Sequence, residues 1–145
     1  MIAYLDTNAL VKLYITEQHS SLLRVLIEEE AKIVGTSVIS RPEFSASIAK
    51  GLRTGMIWKN VASAAHERFQ SEWQELQTLA VTDEIIATAD MLAWNYQLRG
   101  FDAIHLASAL QWQSALNADI TLITFDEQLW QVAQQANLEV WPKNL

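Results

Sequence analysis

The segment Ile2-Ala3-Tyr4-Leu5-Asp6-Thr7-Asn8 joins a short apolar run to three polar residues. Four apolar residues are too few for a helix, so the run predicts a buried strand. Asp6 or Thr7 then provides an N-cap for a helix over residues 9–15, because Asp and Thr side chains accept hydrogen bonds from the free amides of a first helical turn. The chain therefore opens with a strand that passes directly into a helix.

The same order repeats along the rest of the sequence. A second apolar run, residues 120–124, is rich in β-branched side chains and is followed by Asp126 at the start of a helix. Strands separated by helices need crossover connections, which favour a mainly parallel sheet with helices on both faces. Without a linker or an internal repeat, residues 1–145 are predicted to form one α/β domain. Further strands are predicted at 33–34, 79–81 and 138–141, and further helices over 18–31, 36–53, 56–77, 82–99, 102–116 and 126–136.

Capping residues set several of these predicted boundaries. Thr36-Ser37 and Thr82 each precede an apolar helical pattern and are predicted to cap it. Gly100 is predicted to end the helix that begins at Thr82, because glycine commonly follows the last helical turn. Asp102 is then predicted to open the next helix.

The composition excludes several classes of protein. The 145 residues are 50% hydrophobic and include six Trp, which suffices for a packed core and argues against a disordered chain. The absence of Cys excludes disulfides, iron–sulfur clusters, thiolate zinc sites and cysteine nucleophiles. No apolar run is long enough to span a membrane, and the first 15 residues lack the basic start of a signal peptide. We therefore expect a soluble cytoplasmic protein without membrane association.

The charge distribution leaves two interpretations open. The net charge of −7 argues against a nucleic-acid partner, because phosphate binding uses Lys and Arg. Residues 41–68, however, hold five Lys and Arg against two Glu, so this segment is +3 and the rest of the chain is −10. The basic segment is either an ordinary solvated pair of helices or a face that contacts an anionic polymer.

Four acidic residues lie where an open α/β sheet places its ligand site, beyond the carboxyl ends of the strands. Asp6 and Asp126 follow two of the predicted strands, and Glu43 and Asp102 lie in the first turns of helices. Each also has a purely structural interpretation, as a helix cap or as a charge that compensates the helix dipole. His105 is interpreted as a core or surface histidine rather than a ligand.

The sequence around these four acids resembles the PIN-domain family of metal-dependent ribonucleases. Within that family it is most similar to the small toxins of VapBC-type toxin–antitoxin pairs. The resemblance spans the full length, with small departures at Asn8, where many members have Ser, and at Arg41-Pro42 before Glu43. The segments that carry it are Tyr4-Leu5-Asp6-Thr7-Asn8, Ser37-Val38-Ile39-Ser40-Arg41-Pro42-Glu43-Phe44, Phe101-Asp102-Ala103-Ile104-His105-Leu106-Ala107, Leu122-Ile123-Thr124-Phe125-Asp126 and the closing strand before Pro142.

The resemblance implies a PIN-like three-layer α/β/α domain that cleaves RNA by metal-assisted hydrolysis. Carboxylates that crowd together need a cation, since two unit charges at ~4 Å repel by roughly 4 kcal/mol at an effective dielectric near 20. Oxygen ligands suit Mg²⁺ or Mn²⁺. Asp6 and Asp102 are assigned as the principal metal ligands, and Asp126 and Glu43 complete the catalytic pocket by binding a second ion or orienting waters. We expect Thr7, Asn8 and Thr124 to form hydrogen bonds with these carboxylates. The residues expected to contact RNA are Arg41, Lys50, Arg53 and Lys59.

The resemblance also implies two protein partners. One is an antitoxin, and the other is a second copy of the chain in a homodimer. Because the acidic pocket has uncompensated negative charge without a metal, we expect the antitoxin to insert a basic side chain into it. The apolar helices with Trp58, Trp73 and Trp112 support an association surface.

Three rival functions stay open. A catalytically silent PIN-like module that binds RNA or protein would have lost a carboxylate, and none is lost here. A phosphoryl-accepting receiver domain would need a Lys near its last strands, whereas no Lys occurs between positions 60 and 142. A 5′-nuclease acting on DNA would be a longer chain with an added clamp region.

Overall fold

A central sheet of five strands organises the chain, and the computed structural model describes every residue from Met1 to Leu145. The strand order is β3-β2-β1-β4-β5, and all four neighbouring pairs are parallel. The prediction of a mainly parallel sheet is therefore confirmed. The elements in chain order are β1 (Ile2–Leu5), α1 (Thr7–Tyr14), α2 (Ser20–Glu30), β2 (Ile33–Ser37), α3 (Ser40–Arg53), α4 (Lys59–Glu72), β3 (Gln77–Leu79), α5 (Asp83–Tyr96), α6 (Gly100–Leu116), β4 (Ile120–Ile123), α7 (Glu127–Gln135) and β5 (Glu139–Trp141).

Alternating side chains of the central strand β1 pack into two separate hydrophobic cores, one on each face of the sheet. Tyr4 points into a cluster formed with α5, α6 and α7, while Ala3 and Leu5 point into a cluster formed with α1 to α4. Both clusters consist of buried hydrophobic residues, as expected for a parallel sheet that is covered on both faces. The result is the predicted three-layer α/β/α arrangement. None of the helices combines the length and the apolarity that crossing a bilayer requires.

The predicted bounds of one helix and one strand in the middle of the chain are wrong. The helix predicted over 56–77 is α4, which covers only Lys59–Glu72 and is followed by a short 3₁₀ turn at Trp73–Glu75. The strand predicted at 79–81 is β3 at Gln77–Leu79, where its register with β2 fixes it. Gly55 lies in the turn between α3 and α4 at a φ of +72°, a conformation that glycine adopts readily, and α4 begins only at Lys59.

Two predicted caps are also wrong, for reasons of tertiary contact. Thr36 and Ser37 are strand residues of β2, and the Thr36 hydroxyl donates to the Leu5 carbonyl at 2.7 Å instead of capping a helix. Gly100 begins α6, whereas α5 ends at Tyr96 and is followed by Gln97, which lies in the left-handed region at a φ of 56°. The predicted caps at Asp6, Thr82 and Asp126 are confirmed, since each side chain accepts a hydrogen bond from the amide three residues on.

The strand order places a crevice at one end of β1. From β1 the chain moves to β2 on one side, and later returns to β4 on the other side. Such a reversal leaves a gap beyond the carboxyl ends of the two strands, because the helices that follow them leave in opposite directions. Asp6 directly follows β1, and Thr124 directly follows β4.

Candidate functional site

Asp6 is a buried carboxylate whose two oxygens are both held by the fold. It is 2% exposed, and its Oδ1 accepts from the Ala9 amide at 2.7 Å as the cap of α1. Its Oδ2 accepts from the Thr124 hydroxyl at 2.6 Å, which ties the ends of β1 and β4 together. Burial raises the pKa of Asp6, and the negative charge of Asp102 adds to that effect against the hydrogen bonds that lower it. A carboxylate of this kind favours a nearby cation.

Asp126 is linked to the same strand end through Thr124. The Asp126 amide donates to the Thr124 hydroxyl at 3.1 Å, and its own Oδ1 caps α7 by accepting from the Leu129 amide at 2.8 Å. The remaining oxygen, Oδ2, accepts from the Arg99 guanidinium at 2.8 Å. Asp126 therefore combines the structural role of a cap with one carboxylate oxygen that faces a cation.

Asp102 lies in the first turn of α6, three residues after Arg99. Arg99 Nε donates to Asp102 Oδ2 at 2.8 Å, so one guanidinium bridges Asp102 and Asp126. Burial raises the pKa of Asp102, with a further contribution from Asp126, while the hydrogen bond and the charge of Arg99 act against that rise. The structure thus neutralises part of the acidic site with a cation from the same chain.

Glu43 on α3 is held by a buried imidazole. His105 is 2% exposed, and its Nε2 lies 3.0 Å from Glu43 Oε1, which also accepts from the Thr7 hydroxyl at 2.8 Å. Because an ionised carboxylate only accepts, Nε2 carries a proton, and the Tyr4 hydroxyl lies 3.0 Å from Nδ1 on the other side of the ring. Partial burial acts to raise the pKa of Glu43, but the hydrogen bond and charge of His105, together with Thr7, outweigh it and hold that pKa below its ordinary value.

One open cleft of about 450 Å³ collects most of these groups. Three of the four predicted carboxylates line it, as do both supporting residues from the start of α1, and Lys50 and Arg99 contribute positive charge. Asp126 lies outside the lining and joins the site through Arg99. A larger cleft of about 620 Å³ lies between α2 and the C-terminal end of α4 with the 3₁₀ turn that follows it, and it contains none of the predicted site residues. The residues that the first cleft brings together are Asp6, Thr7, Asn8, Glu43, Lys50, Arg99, Asp102 and His105.

The other predicted RNA contacts lie away from this cleft. Arg41 donates to Gln70 on α4 at 2.8 Å and lies over the Trp73 ring, so it packs between helices. Arg53 and Lys59 are exposed at the end of α3 and the start of α4. Of the four basic residues, Lys50 alone is a cleft residue, because it follows Glu43 by seven positions and shares its helix face.

The donor chemistry of the cleft fits a hard divalent cation. Asp6, Glu43 and Asp102 offer only carboxylate oxygens, and Mg²⁺ is commonly held by one or two carboxylates while it keeps several waters. No group of three or more His, Cys, Asp or Glu side chains has an arrangement that would hold a metal together. A divalent ion in this cleft would therefore be held by one or two of these carboxylates and would keep several of its waters.

Sequence reasoning missed two residues of this site. His105 was interpreted as a core or surface histidine; it is buried, and it also contacts Glu43 across 62 positions of sequence. Arg99 was not identified, although its position three residues before Asp102 on a helix start is a spacing that allows an ion pair. Its second contact, to Asp126, depends on how α6 and α7 meet and has no local signal.

Comparison with known proteins identifies a family that matches the chain and relatives with similar sequences. The PIN domain profile matches residues 3–135. A Mycobacterium tuberculosis H37Rv protein named Ribonuclease VapC49 is 30% identical over 145 residues, covering 99% of this chain and 97% of that protein. Ribonuclease VapC47 from M. tuberculosis CDC 1551 is 30% identical over 129 residues, covering 87% and 85%.

Solved structures share the fold at lower sequence identity. FitAcB from Neisseria gonorrhoeae has a TM-score of 0.68 at 18% identity, covering 96% of each chain. VapBC-5 from M. tuberculosis, a member of the VapBC family of toxin–antitoxin systems, has a TM-score of 0.59 at 18% identity, covering 97% of this chain and 98% of that one. At these identities the likeness shows the architecture of the chain.

Proposed function

This chain belongs to the PIN-domain family, and we propose that it is a metal-dependent endoribonuclease, the toxin of a type II toxin–antitoxin pair. The observation that carries the proposal is the convergence of Asp6, Glu43 and Asp102 on one open cleft, from three helices that are far apart in sequence. The names of the relatives support RNA as the substrate, since both are called ribonucleases. Mg²⁺ or Mn²⁺ is the proposed cofactor.

Each carboxylate has a distinct task in this proposal. When bound, a divalent cation supplies an acidified water and a positive charge for the phosphate oxygens. Asp102 and Asp6 would hold the cation, directly or through water, and Asp126 would approach it from the start of α7. Glu43 stays ionised because His105 and Thr7 donate to it, so it is suited to accept a proton or orient water. Lys50, which lines the same cleft, would contact the RNA backbone.

A catalytically silent binding module is the alternative class. Such a module gains nothing from burying a carboxylate beside other acids, because uncompensated charge lowers stability. The retention of all four acids, two of them with raised pKa values, favours catalysis.

The direct test is RNA hydrolysis by the purified protein. We expect cleavage of single-stranded RNA in Mg²⁺ or Mn²⁺, loss of cleavage in chelator, and no cleavage of a DNA of the same sequence. Asp102→Asn should abolish activity, whereas Asp90→Asn, which removes an exposed carboxylate from α5, should leave it unchanged. A folded Asp102→Asn protein that still cleaves RNA would show that the metal-ligand assignment is wrong.

We also propose an antitoxin partner, on the basis that structural neighbours are toxin–antitoxin complexes. A basic side chain from that partner would enter the acidic cleft and compete with Arg99 for Asp102, and Arg would do so with two parallel hydrogen bonds. Inhibition should therefore weaken as Mg²⁺ rises. The test is co-purification with the product of the neighbouring gene, followed by a Mg²⁺ titration of RNA cleavage. An inhibitor that retains full strength after its basic residues are replaced with Ala would contradict this mechanism.

A homodimer is the proposed assembly, and the cytoplasm, where RNA is translated, is the proposed place of action. Of the three Trp residues expected to form an association surface, Trp112 is buried and Trp73 is half-buried, so only Trp58 is an exposed contributor. Met91 and Trp94 on α5 are exposed by 58% and 86% and enlarge the unpaired apolar surface. Light scattering that shows a monomer across the micromolar range would contradict the dimer.

A further inference from the structure

Arg99 provides a cation inside the site that the proposed chemistry would fill with a metal ion. Its Nε and Nη2 each lie 2.8 Å from a carboxylate oxygen, one on Asp102 and one on Asp126. We propose that Arg99 is an internal counter-ion that competes with a divalent cation for Asp102 and Asp126, so that Arg99 lowers the apparent metal affinity of the site. This inference rests on the proposed function, because it assumes that these carboxylates bind the cation.

The pattern of occupied carboxylate oxygens supports displacement. Both oxygens of Asp6 accept from groups that belong to the fold, and so does Oδ1 of Asp126. Oδ2 of Asp102 and Oδ2 of Asp126 are held by Arg99 alone. A cation can take over these two oxygens without breaking a cap or a strand contact.

The surroundings of Arg99 allow a cation to replace it at a small cost in free energy. Its side chain is 70% exposed, and both of its polar contacts are with these two carboxylates. A displaced guanidinium therefore moves into water and leaves no buried polar group without a partner. An exposed ion pair of this kind is weak, and its strength falls with salt.

The bridge joins two separate elements, which distinguishes it from an ordinary surface ion pair. Arg99 and Asp102 lie at the start of α6, while Asp126 caps α7, 27 positions further along the chain. The fixed fork of the guanidinium allows it to contact both carboxylates at once, whereas an ammonium group is a single point charge. Arg and Lys should therefore act differently at this position.

The test is a Mn²⁺ titration of the chelator-washed protein by calorimetry, without RNA. Arg99→Gln should bind Mn²⁺ about two- to tenfold more tightly than wild type, as expected for the loss of two weak competing ion pairs. Arg99→Lys should fall between the two, because it retains the charge and loses the bridge. Arg68→Gln is the matched control, since Arg68 is 60% exposed and pairs with Glu72 on α4, and its Mn²⁺ affinity should equal that of wild type.

A second readout follows Arg99 itself. The Nε–H signal of Arg99 in a ¹H–¹⁵N spectrum should shift towards the position of a solvated guanidinium as Mg²⁺ is added. An unchanged signal at saturating Mg²⁺ overturns the inference, and so does equal Mn²⁺ affinity of wild type and Arg99→Gln. Equal affinity of wild type and Arg99→Lys would show that charge alone, without the bridge, controls binding, and this also overturns it. If neither wild type nor the variants bind Mn²⁺, the proposed metal dependence fails together with the inference.

Discussion

Replacing Asp6 with Asn should raise the melting temperature of the metal-free protein while abolishing RNA hydrolysis. Asp6 is 2% exposed, and burial raises its pKa above the ordinary value of 3.8. The fold therefore favours a neutral group at this position over an ionised one. Asn keeps the shape of the side chain and removes the charge.

The magnitude follows from the contacts that change. Asn caps helices as well as Asp does, so the hydrogen bond from the Ala9 amide at 2.7 Å should survive. The Asn amide nitrogen replaces the oxygen that accepts from the Thr124 hydroxyl at 2.6 Å, so Thr124 must accept from that amide instead, and a neutral hydrogen bond replaces a charged one at a cost of about 1 kcal/mol. Removing a buried charge relieves a penalty of several kcal/mol. The net gain in the free energy of unfolding is about 1–2 kcal/mol, or roughly 3–6 °C for a chain of this size.

The pH dependence gives the sign of the effect independently. A carboxyl with a raised pKa in the folded state stabilises the fold when it is protonated, and that contribution disappears as pH rises through the folded pKa. The advantage of Asp6→Asn should therefore be largest at neutral pH and should vanish near and below pH 3.8, where Asp6 is protonated in both the folded and the unfolded chain.

The assay is thermal unfolding followed by circular dichroism at pH 7 and pH 4, with and without Mg²⁺. Mg²⁺ at about ten times its dissociation constant should stabilise wild type by about 1.4 kcal/mol and leave the variant unchanged. Asp119→Asn, in an exposed loop, is the control and should melt as wild type does. A folded Asp6→Asn protein that melts below wild type at pH 7, or by the same margin at both pH values, would refute the buried-charge argument.

Three further substitutions test the support around the site. Thr124→Val should lower the free energy of unfolding by about 1–3 kcal/mol in urea, because the buried carboxylate that it contacts at 2.6 Å loses a donor, and Thr124→Ser should restore most of the loss. Glu43→Gln should destabilise the protein above pH 4.5 and lose that effect as pH falls through the folded pKa, since the pKa of Glu43 is lowered in the fold; urea denaturation at pH 7 and pH 3 measures the difference, and equal effects at both pH values would contradict it. Gly35→Ala should cost about 1–3 kcal/mol and alter the fluorescence of Trp112, because a Cβ would lie 2.4 Å from that ring, whereas Gly100→Ala meets no atom within 4 Å and serves as the control.

Much of the architecture was readable from the sequence. The alternation of apolar strands and amphipathic helices predicted a parallel sheet covered on both faces, and the residues after β1 and β4 predicted the caps at Asp6 and Asp126. The errors fell where tertiary contacts overrule a local signal. Thr36 could cap a helix by composition, but pairing with the neighbouring strand and the hydrogen bond to the Leu5 carbonyl made it a strand residue.

The candidate site likewise has features that local sequence predicts and features that only tertiary contacts decide. The sequence by itself determined which carboxylates are available and which helix starts they occupy, because capping and hydrophobic periodicity depend on residues three or four positions apart. Only the tertiary structure decided that Arg99 bridges Asp102 to Asp126 and that His105 holds Glu43. Those contacts join residues 27 and 62 positions apart. They exist because β1 lies between β2 and β4, and that strand order is set by the packing of two cores against one sheet, which no local stretch of sequence encodes.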